Sequence, residues 1–125
     1  MTGSPQTILV IDDDAAARRM MRRALERRGF AILEASDGSS GLAVIRDAQP
    51  DLVLLDLRMP GELSGLDVIA RVQADDTLNG IPLIVVSASA HEGMRAQTLQ
   101  SGGAGFVEKP VDFAELERMI AQTLG

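Results

Sequence analysis

Five short apolar runs alternate with longer amphipathic segments along the chain, and this alternation constrains the fold more than any other feature. Each run is too short for a stable helix and rich in Ile, Val and Leu, which favours a strand. The predicted strands are Ile8–Ile11, Phe30–Ala35, Asp51–Leu55, Ile81–Val86 and Gly105–Val107. In the segments between them, apolar residues recur at helical spacing. The pattern therefore predicts a strand followed by a helix, repeated five times.

Glycine, proline and capping residues mark where the helices begin and end. The predicted helices are Ala15–Arg28, Ser39–Ala48, Gly65–Ala74, Ala90–Ser101 and a last helix that starts at Asp112-Phe113-Ala114-Glu115. Gly29 suits the position after the first helix, and Pro50 ends the second. The fourth helix is predicted to be the weakest, because Gly93 lies inside it and only Met94 and Leu99 give it an apolar stripe.

Continuously apolar strands are typical of a parallel sheet that is covered by helices on both faces. Right-handed crossovers leave few topologies for such a sheet, and we predict the doubly wound order 2-1-3-4-5. The expected fold is α/β: a single doubly wound five-stranded parallel sheet with five helices, of the flavodoxin-like type. The 125 residues fit one domain, 1–125, with residues 1–6 as a frayed lead-in and no output domain.

Composition excludes several classes of function. The net charge of -6 and the 2% aromatic content argue against a nucleic-acid binder. The absence of cysteine excludes disulfides, thiolate nucleophiles and cysteine-based zinc sites. No apolar run approaches the roughly 20 residues that cross a bilayer, and the first residues lack the features of a signal peptide. We therefore expect a cytoplasmic globular domain with no membrane partner.

Polar side chains lie where four of the predicted strands end. They are Asp12 and Asp13 after the first strand, Asp56 after the third, Ser87 after the fourth and Lys109 just past the fifth. The carboxyl ends of parallel strands share one edge of the sheet, and ligands bind there at the point where the strand order reverses. We expect these five side chains to converge on one pocket.

This set of groups suits phosphoryl transfer. Three neighbouring carboxylates repel one another unless a cation lies between them, and hard oxygen ligands favour Mg²⁺. Asp56 suits the nucleophile, whereas Ser87 and Lys109 suit the phosphoryl oxygens. Asp14 is predicted to be only a cap of the first helix.

Taken together, these residues resemble the receiver domains of response regulators in two-component signalling, the superfamily that includes the chemotaxis regulator. The likeness covers nearly the whole chain. The matching segments are Leu9–Asp14, Asp51–Pro60, Val85–Ala88 and Lys109-Pro110. In this order and at these spacings, the four segments are highly specific.

The resemblance implies roles for the acidic residues. Asp12, Asp13 and Asp56 would hold Mg²⁺ together with the backbone carbonyl of Arg58, and Asp13 would be the more direct ligand of the first pair. Asp56 would accept a phosphoryl group from the phosphohistidine of a histidine kinase or a histidine phosphotransfer domain, or from acetyl phosphate. The chain would not be an enzyme in the usual sense, since it would catalyse only its own phosphoryl transfer and dephosphorylation.

The resemblance also implies a switch. Ser87 and Lys109 would bind the phosphoryl group, and the bond before Pro110 would be cis. Phe106 matches an aromatic switch residue that is often tyrosine. Movement of Ser87 and Phe106 would change the face formed by helix 4, strand 5 and helix 5, which would bind a downstream protein.

Three features depart from the family pattern or vary within it. The segment Met59–Gly65 is one residue longer than the usual loop, which affects the mouth of the pocket. Arg58 and Ser89 occupy positions that tune the lifetime of the phosphoryl group. His91, the single histidine, is expected at the exposed start of helix 4.

The first predicted helix is strongly basic. Its arginines are Arg18, Arg19, Arg22, Arg23, Arg27 and Arg28. They form either a solvated outer face with some pairing to Glu26, or a docking face for an acidic partner or for the phosphotransfer domain of a kinase.

Two other functions use a similar pattern. In a haloacid-dehalogenase-like phosphatase, Asp12 would be the nucleophile of an Asp-x-Asp motif. Ala16 departs from that motif, Asp56 would have no role, and the sequence after Lys109 is too short for the further acidic pair. A flavodoxin-like FMN binder would need aromatic residues that this chain lacks. Within the receiver interpretation, both a stand-alone regulator and a domain of a larger regulator or hybrid kinase stay open.

Overall fold

The structure is a computed structural model, and it describes residues 5–88 and 92–125. Strands and helices alternate strictly along the chain. The strands are β1 (Thr7–Ile11), β2 (Ala31–Ala35), β3 (Leu52–Leu55), β4 (Leu83–Ser87) and β5 (Gly105–Glu108). The helices are α1 (Ala15–Glu26), α2 (Gly38–Ala48), α3 (Gly65–Gln73), α4 (Glu92–Gln100) and α5 (Phe113–Leu124). This element order confirms the predicted fivefold repeat.

All strand pairs are parallel, and the sheet has the predicted order β2-β1-β3-β4-β5. The strand order reverses at β1, which pairs with both β2 and β3. Val10 of β1 lies opposite Glu34 on β2 and opposite Leu54 on β3. The prediction of a doubly wound flavodoxin-like fold is therefore confirmed. No helix in the described part of the chain is long and apolar enough to cross a membrane.

Alternate side chains of each strand enter two separate cores, one on each face of the sheet. On the first face, strand residues pack against α2 and α3; its buried members include Leu9, Ile11, Leu42, Ile45, Val53, Leu55, Val68, Ile69, Val85 and Phe106. On the second face they pack against α1 and α5; its members include Ile8, Val10, Met21, Leu25, Leu54, Ile84, Val107, Leu116 and Ile120. Burial on both faces explains why the strands are apolar throughout.

The structure corrects two predicted boundaries. α1 ends at Glu26 and not at Arg28, because Gly29 adopts a φ of 93° and the N–H of Phe30 bonds back to the carbonyl of Leu25. β4 starts at Leu83, since Pro82 has no N–H for the ladder.

β4 also continues through Ser87, which the sequence analysis placed after the strand. Ser87 is the last paired residue of β4 and lies opposite Glu108. The other strand and helix ends within residues 5–88 and 92–125 coincide with the predicted ones or differ by one residue, the start of α4 aside.

Side-chain caps fix the starts of three helices near the carboxyl edge of the sheet. The Asp14 carboxylate accepts hydrogen bonds from the N–H groups of Ala16 and Ala17, which confirms its predicted role as a cap. Ser64 and Asp67 form a reciprocal capping box at α3, and Asp112 caps α5. The loops that follow β1, β3 and β5 therefore have defined ends.

α4 is the least well anchored helix. Among its described side chains only Thr98 is fully buried, and Leu99, predicted to face inward, is 51% exposed. This supports the prediction that α4 is the weakest helix. The predicted start of this helix, with Ala90 and His91, lies outside the described residues, as does Ser89.

Candidate functional site at the carboxyl edge of the sheet

Strand alternation brings three of the predicted site residues together. The side chains of Val10, Leu54 and Val107 all enter the core on the α1 and α5 side of the sheet. Two positions further along the chain come Asp12, Asp56 and Lys109. Since side chains two residues apart point to the same side of a strand, these three continue the same alternation past the strand ends.

Lys109 joins the two acids directly. Its Nζ lies 2.6 Å from Oδ2 of Asp12 and 3.0 Å from Oδ2 of Asp56. Both acids are nearly buried, with 5% and 9% of their surface exposed. The ammonium therefore lies between two carboxylates that would otherwise repel each other.

The position of Lys109 also affects its own protonation. Partial burial acts to lower the pKa of Lys109, but hydrogen bonds to Asp12 and Asp56 outweigh it, so the pKa lies above its ordinary value. The peptide bond between Lys109 and Pro110 is cis, as the family resemblance implies.

The backbone holds the second oxygen of Asp56. The N–H of Arg58 donates to Oδ1 of Asp56 at 3.2 Å, while the N–H of Asp56 donates to the carbonyl of Ile11 at 3.1 Å. The Asp56 carboxylate is thus bound by a peptide N–H on one oxygen and by an ammonium on the other. Arg58 itself is exposed.

Each polar atom of Asp12 has a partner. Its N–H donates to the carbonyl of Ala35 at 3.1 Å, and its Oδ1 accepts the N–H of Asp14 at 2.9 Å. Its Oδ2 accepts a hydrogen bond from Nζ of Lys109, and its backbone carbonyl accepts one from Nη1 of Arg18 at 2.6 Å. Asp12 therefore has a fixed orientation at the end of β1.

The hydrogen bond from Arg18 to the Asp12 carbonyl was not predicted, because Arg18 was assigned to a basic face that is either solvated or used for docking. Nε of Arg18 donates to Oε1 of Glu34 at 3.1 Å, and Nη1 of Arg22 donates to the other oxygen of Glu34. Burial acts to raise the pKa of Glu34, but hydrogen bonds from the two arginines outweigh it, and the pKa is lowered.

The sequence does contain a signal for the pairing of Glu34 with Arg18 and Arg22. Glu34 is the only charged residue in β2, and Ile32, two residues earlier, faces α1. Arg18 and Arg22 are four residues apart and so lie on one side of α1. The predicted pairing of α1 arginines with Glu26 is confirmed for Arg22, at 3.2 Å.

The remaining predicted residues lie beside this centre in different environments. Ser87 is 1% exposed at the end of β4, and Asp13 is exposed. Phe106 is 2% exposed and lies in the core on the α2 and α3 side. The guanidinium of Arg95 on α4 lies 5.0 Å from the centre of its ring.

The loop between β3 and α3, predicted to be one residue longer than usual, folds onto the start of α2. Leu63 is partly buried there and packs against the core. A Cβ atom at Gly38 would lie 2.6 Å from the carbonyl oxygen of Leu63, so only glycine fits this contact. The longer loop is therefore packed against the protein at this point.

The acidic residues of the site supply the oxygen ligands that Mg²⁺ prefers. In residues 5–88 and 92–125, no three or more acidic, histidine or cysteine side chains are already arranged around a common metal position. Mg²⁺ needs less than that, since it usually binds one or two carboxylates and keeps several waters. The carboxylates of Asp12 and Asp56 both contact the ammonium of Lys109. Asp13 directly follows Asp12, and Arg58 lies two residues after Asp56.

A groove of about 230 Å³ opens beside Asp12 and Lys109, between α1 and the start of α5. Its lining residues are Asp12, Ala17, Met20, Met21, Lys109, Pro110, Val111 and Phe113. Met20 is 60% exposed, and the neighbouring Arg19 and Arg23 are exposed as well. The groove is therefore largely apolar, with Asp12 and Lys109 as its charged lining residues.

The sequence matches the family described as the response regulator receiver domain over residues 8–121. It is 39% identical over 119 residues to the phosphate regulon transcriptional regulatory protein PhoB of Pseudomonas aeruginosa, covering 95% of this chain and 52% of that protein. It is 30% identical over 121 residues to the polar-differentiation response regulator DivK of Brucella anthropi, covering 97% of this chain and 98% of that protein. The chain thus spans about half the length of the first relative and nearly all of the second.

A solved structure agrees with these similarities. The CheY-like response regulator receiver domain protein of Methanospirillum hungatei superposes with a TM-score of 0.88 at 26% identity, covering 97% of this chain and 94% of that one. The fold and the family match both extend over nearly the whole chain. This chain therefore belongs to the response regulator receiver domain family of two-component signalling.

Proposed function

We propose that this receiver domain is a phosphorylation-dependent switch and that Asp56 accepts the phosphoryl group. The observation that carries the proposal is the contact of a single ammonium, that of Lys109, with both Asp56 and Asp12. Such a centre combines a nearly buried carboxylate nucleophile with a cation that offsets the charge of a transferred phosphoryl group.

The proposed reaction is a direct transfer. An oxygen of the Asp56 carboxylate attacks phosphorus, the P–N bond of a phosphohistidine breaks, and its electron pair returns to the imidazole. With acetyl phosphate, the P–O bond to the acetate breaks instead. The N–H of Arg58 holds one oxygen of Asp56 in place, and Lys109 and Ser87 bind the oxygens of the transferred group.

Mg²⁺ is the proposed cofactor. The carboxylates of Asp12, Asp13 and Asp56 and the backbone carbonyl of Arg58 would hold it. When bound, it offsets the negative charge that develops on the phosphoryl oxygens. The chemistry of these oxygen donors supports Mg²⁺ over softer metals.

Labelling with acetyl phosphate tests the nucleophile. We expect incorporation of one phosphoryl group at Asp56 in the presence of Mg²⁺, and its loss in Asp56→Asn. Asp47→Asn is a suitable control, because Asp47 is exposed on α2, which packs on the other face of the sheet. Labelling at Asp12 would instead support a phosphatase-like reaction and contradict the proposal.

Receiver domains interact with histidine kinases and with downstream targets, and we propose that the groove between α1 and α5 binds the phosphodonor. It is lined by Asp12 and Lys109 as well as by apolar residues, so a helix that carries the phosphohistidine would contact both. Arg19 is exposed on α1, the helix that forms one wall of the groove, whereas Arg22 already pairs with Glu26 and Glu34.

Arg19→Glu tests this docking surface. We expect slower transfer from a histidine kinase or phosphotransfer domain and an unchanged rate with acetyl phosphate. Arg46→Glu on α2 is the matched control, because it is an exposed arginine on the opposite side of the sheet. Equal slowing with both donors would contradict docking at α1.

The output surface is proposed to be the face of α4, β5 and α5, which binds a downstream protein. α4 has few buried contacts, and Phe106 on β5 packs beneath Arg95 of α4. Beryllofluoride with Mg²⁺ should change the amide resonances of this face. Unchanged spectra would contradict the proposed switch.

The receiver unit is proposed to act either as a stand-alone regulator or within a larger regulator or hybrid kinase. The length of the encoding gene distinguishes the two.

A further inference from the structure

We propose that Arg18 is a positioning residue of the metal site: it fixes the peptide unit between Asp12 and Asp13 and thereby raises the affinity for Mg²⁺. The inference rests on the proposed function, because it assumes that these two acids bind the metal. It adds a residue that lies outside the acidic pocket itself, on α1.

The first observation is the hydrogen bond from Nη1 of Arg18 to the backbone carbonyl of Asp12, at 2.6 Å. This carbonyl belongs to the peptide unit that links Asp12 to Asp13, so its direction determines how the Asp13 backbone leaves the strand. Asp13 follows the last residue of β1 by two positions and is exposed. Within the described residues, Arg18 is the one hydrogen-bond donor to this carbonyl.

The second observation is that Arg18 is itself held in place. Its Nε donates to Oε1 of Glu34 at 3.1 Å, and the two side chains are only 18% and 27% exposed. Glu34 is part of β2, which pairs with β1, so the guanidinium is fixed relative to the strand that ends at Ile11, just before Asp12. The planar guanidinium directs two N–H groups in different directions, whereas a lysine ammonium is a single point charge.

Electrostatics alone predicts the opposite effect. Arg18 carries a positive charge near the proposed metal position, so removing it should favour a divalent cation. If Arg18 acts through position, removing it should weaken Mg²⁺ binding in spite of the lost repulsion. The sign of the change in affinity therefore separates the two effects.

Arg22 provides the matched control. It binds the same carboxylate, Glu34, from the next turn of α1, and it also pairs with Glu26. Its hydrogen bonds within the described part of the chain do not involve Asp12. Arg22→Met thus removes a positive charge and the two ion pairs of Arg22, with Glu26 and with Glu34, but leaves the Arg18 contact to the Asp12 carbonyl.

The experiment is a calorimetric titration of the purified chain with Mg²⁺ alone, at fixed ionic strength. We expect the Kd for Mg²⁺ to rise about tenfold in Arg18→Met, as is typical for a residue that orients metal ligands. The Kd of Arg22→Met should be unchanged or lower. Arg18→Lys should recover only part of the affinity, because lysine can hold the carbonyl or Glu34 but not with the same fork.

A second readout follows the backbone directly. In ¹⁵N spectra recorded without Mg²⁺, Arg18→Met should shift the amide resonances of Asp13 and Asp14 more than Arg22→Met does. Urea unfolding of each variant establishes that it is folded, and Arg18→Gln is titrated in place of Arg18→Met if the latter does not fold.

Two results would overturn the inference: Mg²⁺ affinity in the Arg18 variant equal to or higher than in the parent chain, or an equal loss in Arg22→Met. These results differ from a failure of the proposed function. In that case the parent chain itself would not bind Mg²⁺ or would not be labelled at Asp56.

Discussion

A Cβ atom at Gly65 would lie 2.5 Å from the backbone carbonyl oxygen of Asp56. Gly65 is the first residue of α3, so the start of this helix packs directly on the backbone of the proposed phosphoacceptor. Gly65→Ala should therefore push the loop away from β3. We expect a loss of roughly 1–3 kcal/mol in the free energy of unfolding, as for other overpacked sites.

The same substitution should slow labelling of Asp56 by acetyl phosphate, by about tenfold or more, because small displacements of a reacting group are costly. Gly80→Ala is the control, since a Cβ there meets no heavy atom within 4 Å and should change the stability by less than about 0.5 kcal/mol. Equal stability of the two variants would contradict the close contact at Gly65.

Titration of Lys109 offers a direct test of the centre, because the chain has one lysine and neither tyrosine nor cysteine. With ¹³C-labelled lysine, a single side-chain resonance reports the Lys109 ammonium. Partial burial opposes its charge, yet the hydrogen bonds to Asp12 and Asp56 raise its pKa above the ordinary value of 10.5. We expect the midpoint above that value in the parent chain and a lower midpoint in Asp56→Asn.

The raised pKa of Lys109 also has a consequence for stability. A lysine whose pKa is higher in the folded chain stabilises the fold at pH values below its unfolded pKa, and this contribution is lost as the pH rises through the folded pKa. The unfolding free energies of the parent chain and Lys109→Met should therefore converge at strongly alkaline pH. A difference that is constant from pH 7 to pH 12 would show that the ammonium does not supply it.

Thr98 in α4 is fully buried, and its hydroxyl has no hydrogen-bond partner among residues 5–88 and 92–125. A buried donor without a partner is unfavourable, so Thr98→Val, which keeps the shape, should stabilise the chain by about 1 kcal/mol in urea unfolding. Thr123→Val is the control, because the Thr123 hydroxyl donates to the carbonyl of Met119 at 2.7 Å. A gain of the same size at both positions would mean that the missing partner is not the cause.

Arg95 connects α4 to β5 through Phe106. Its guanidinium lies over the Phe106 ring and donates to the Phe106 carbonyl at 3.4 Å. Arg95→Met should cost about 0.5–1 kcal/mol and speed amide hydrogen exchange in α4. Arg118→Met, at an exposed arginine of α5, should leave exchange in α4 unchanged. If both variants exchange alike, Arg95 does not hold α4 in place.

Much of the fold could be predicted from the sequence, because strands that are buried on both faces of the sheet appear as continuous apolar runs. Each strand had to be apolar on both sides, and the predicted runs therefore coincide with the observed strands to within one or two residues. The boundaries that differed depended on single backbone groups. Pro82 lacks an N–H and delays β4, whereas the positive φ of Gly29 ends α1 early.

The sequence was enough to predict which residues lie in the candidate site, but not which of them contact one another. The rule that strand ends converge brought Asp12, Asp56 and Lys109 together, but it could not tell which of them touch. The hydrogen bond from Arg18 to the Asp12 carbonyl was harder still to predict. It depends on Glu34 and on the register between β1 and β2, which cannot be read from a local sequence pattern. The alternation in β2 combined with the spacing of Arg18 and Arg22 indicates only the pairing of these arginines with Glu34.

The shared alternation of Asp12, Asp56 and Lys109 limits which insertions this chain can accept. One residue added within β1, β3 or β5 would turn the side chain at the end of that strand to the opposite face of the sheet, along with half of the core. The loop between β3 and α3 has no such constraint, because it leaves the sheet after Asp56 has already been placed. Changes in length should therefore cost less in that loop, whose contacts are with Gly38 and the Asp56 backbone, than in the strands.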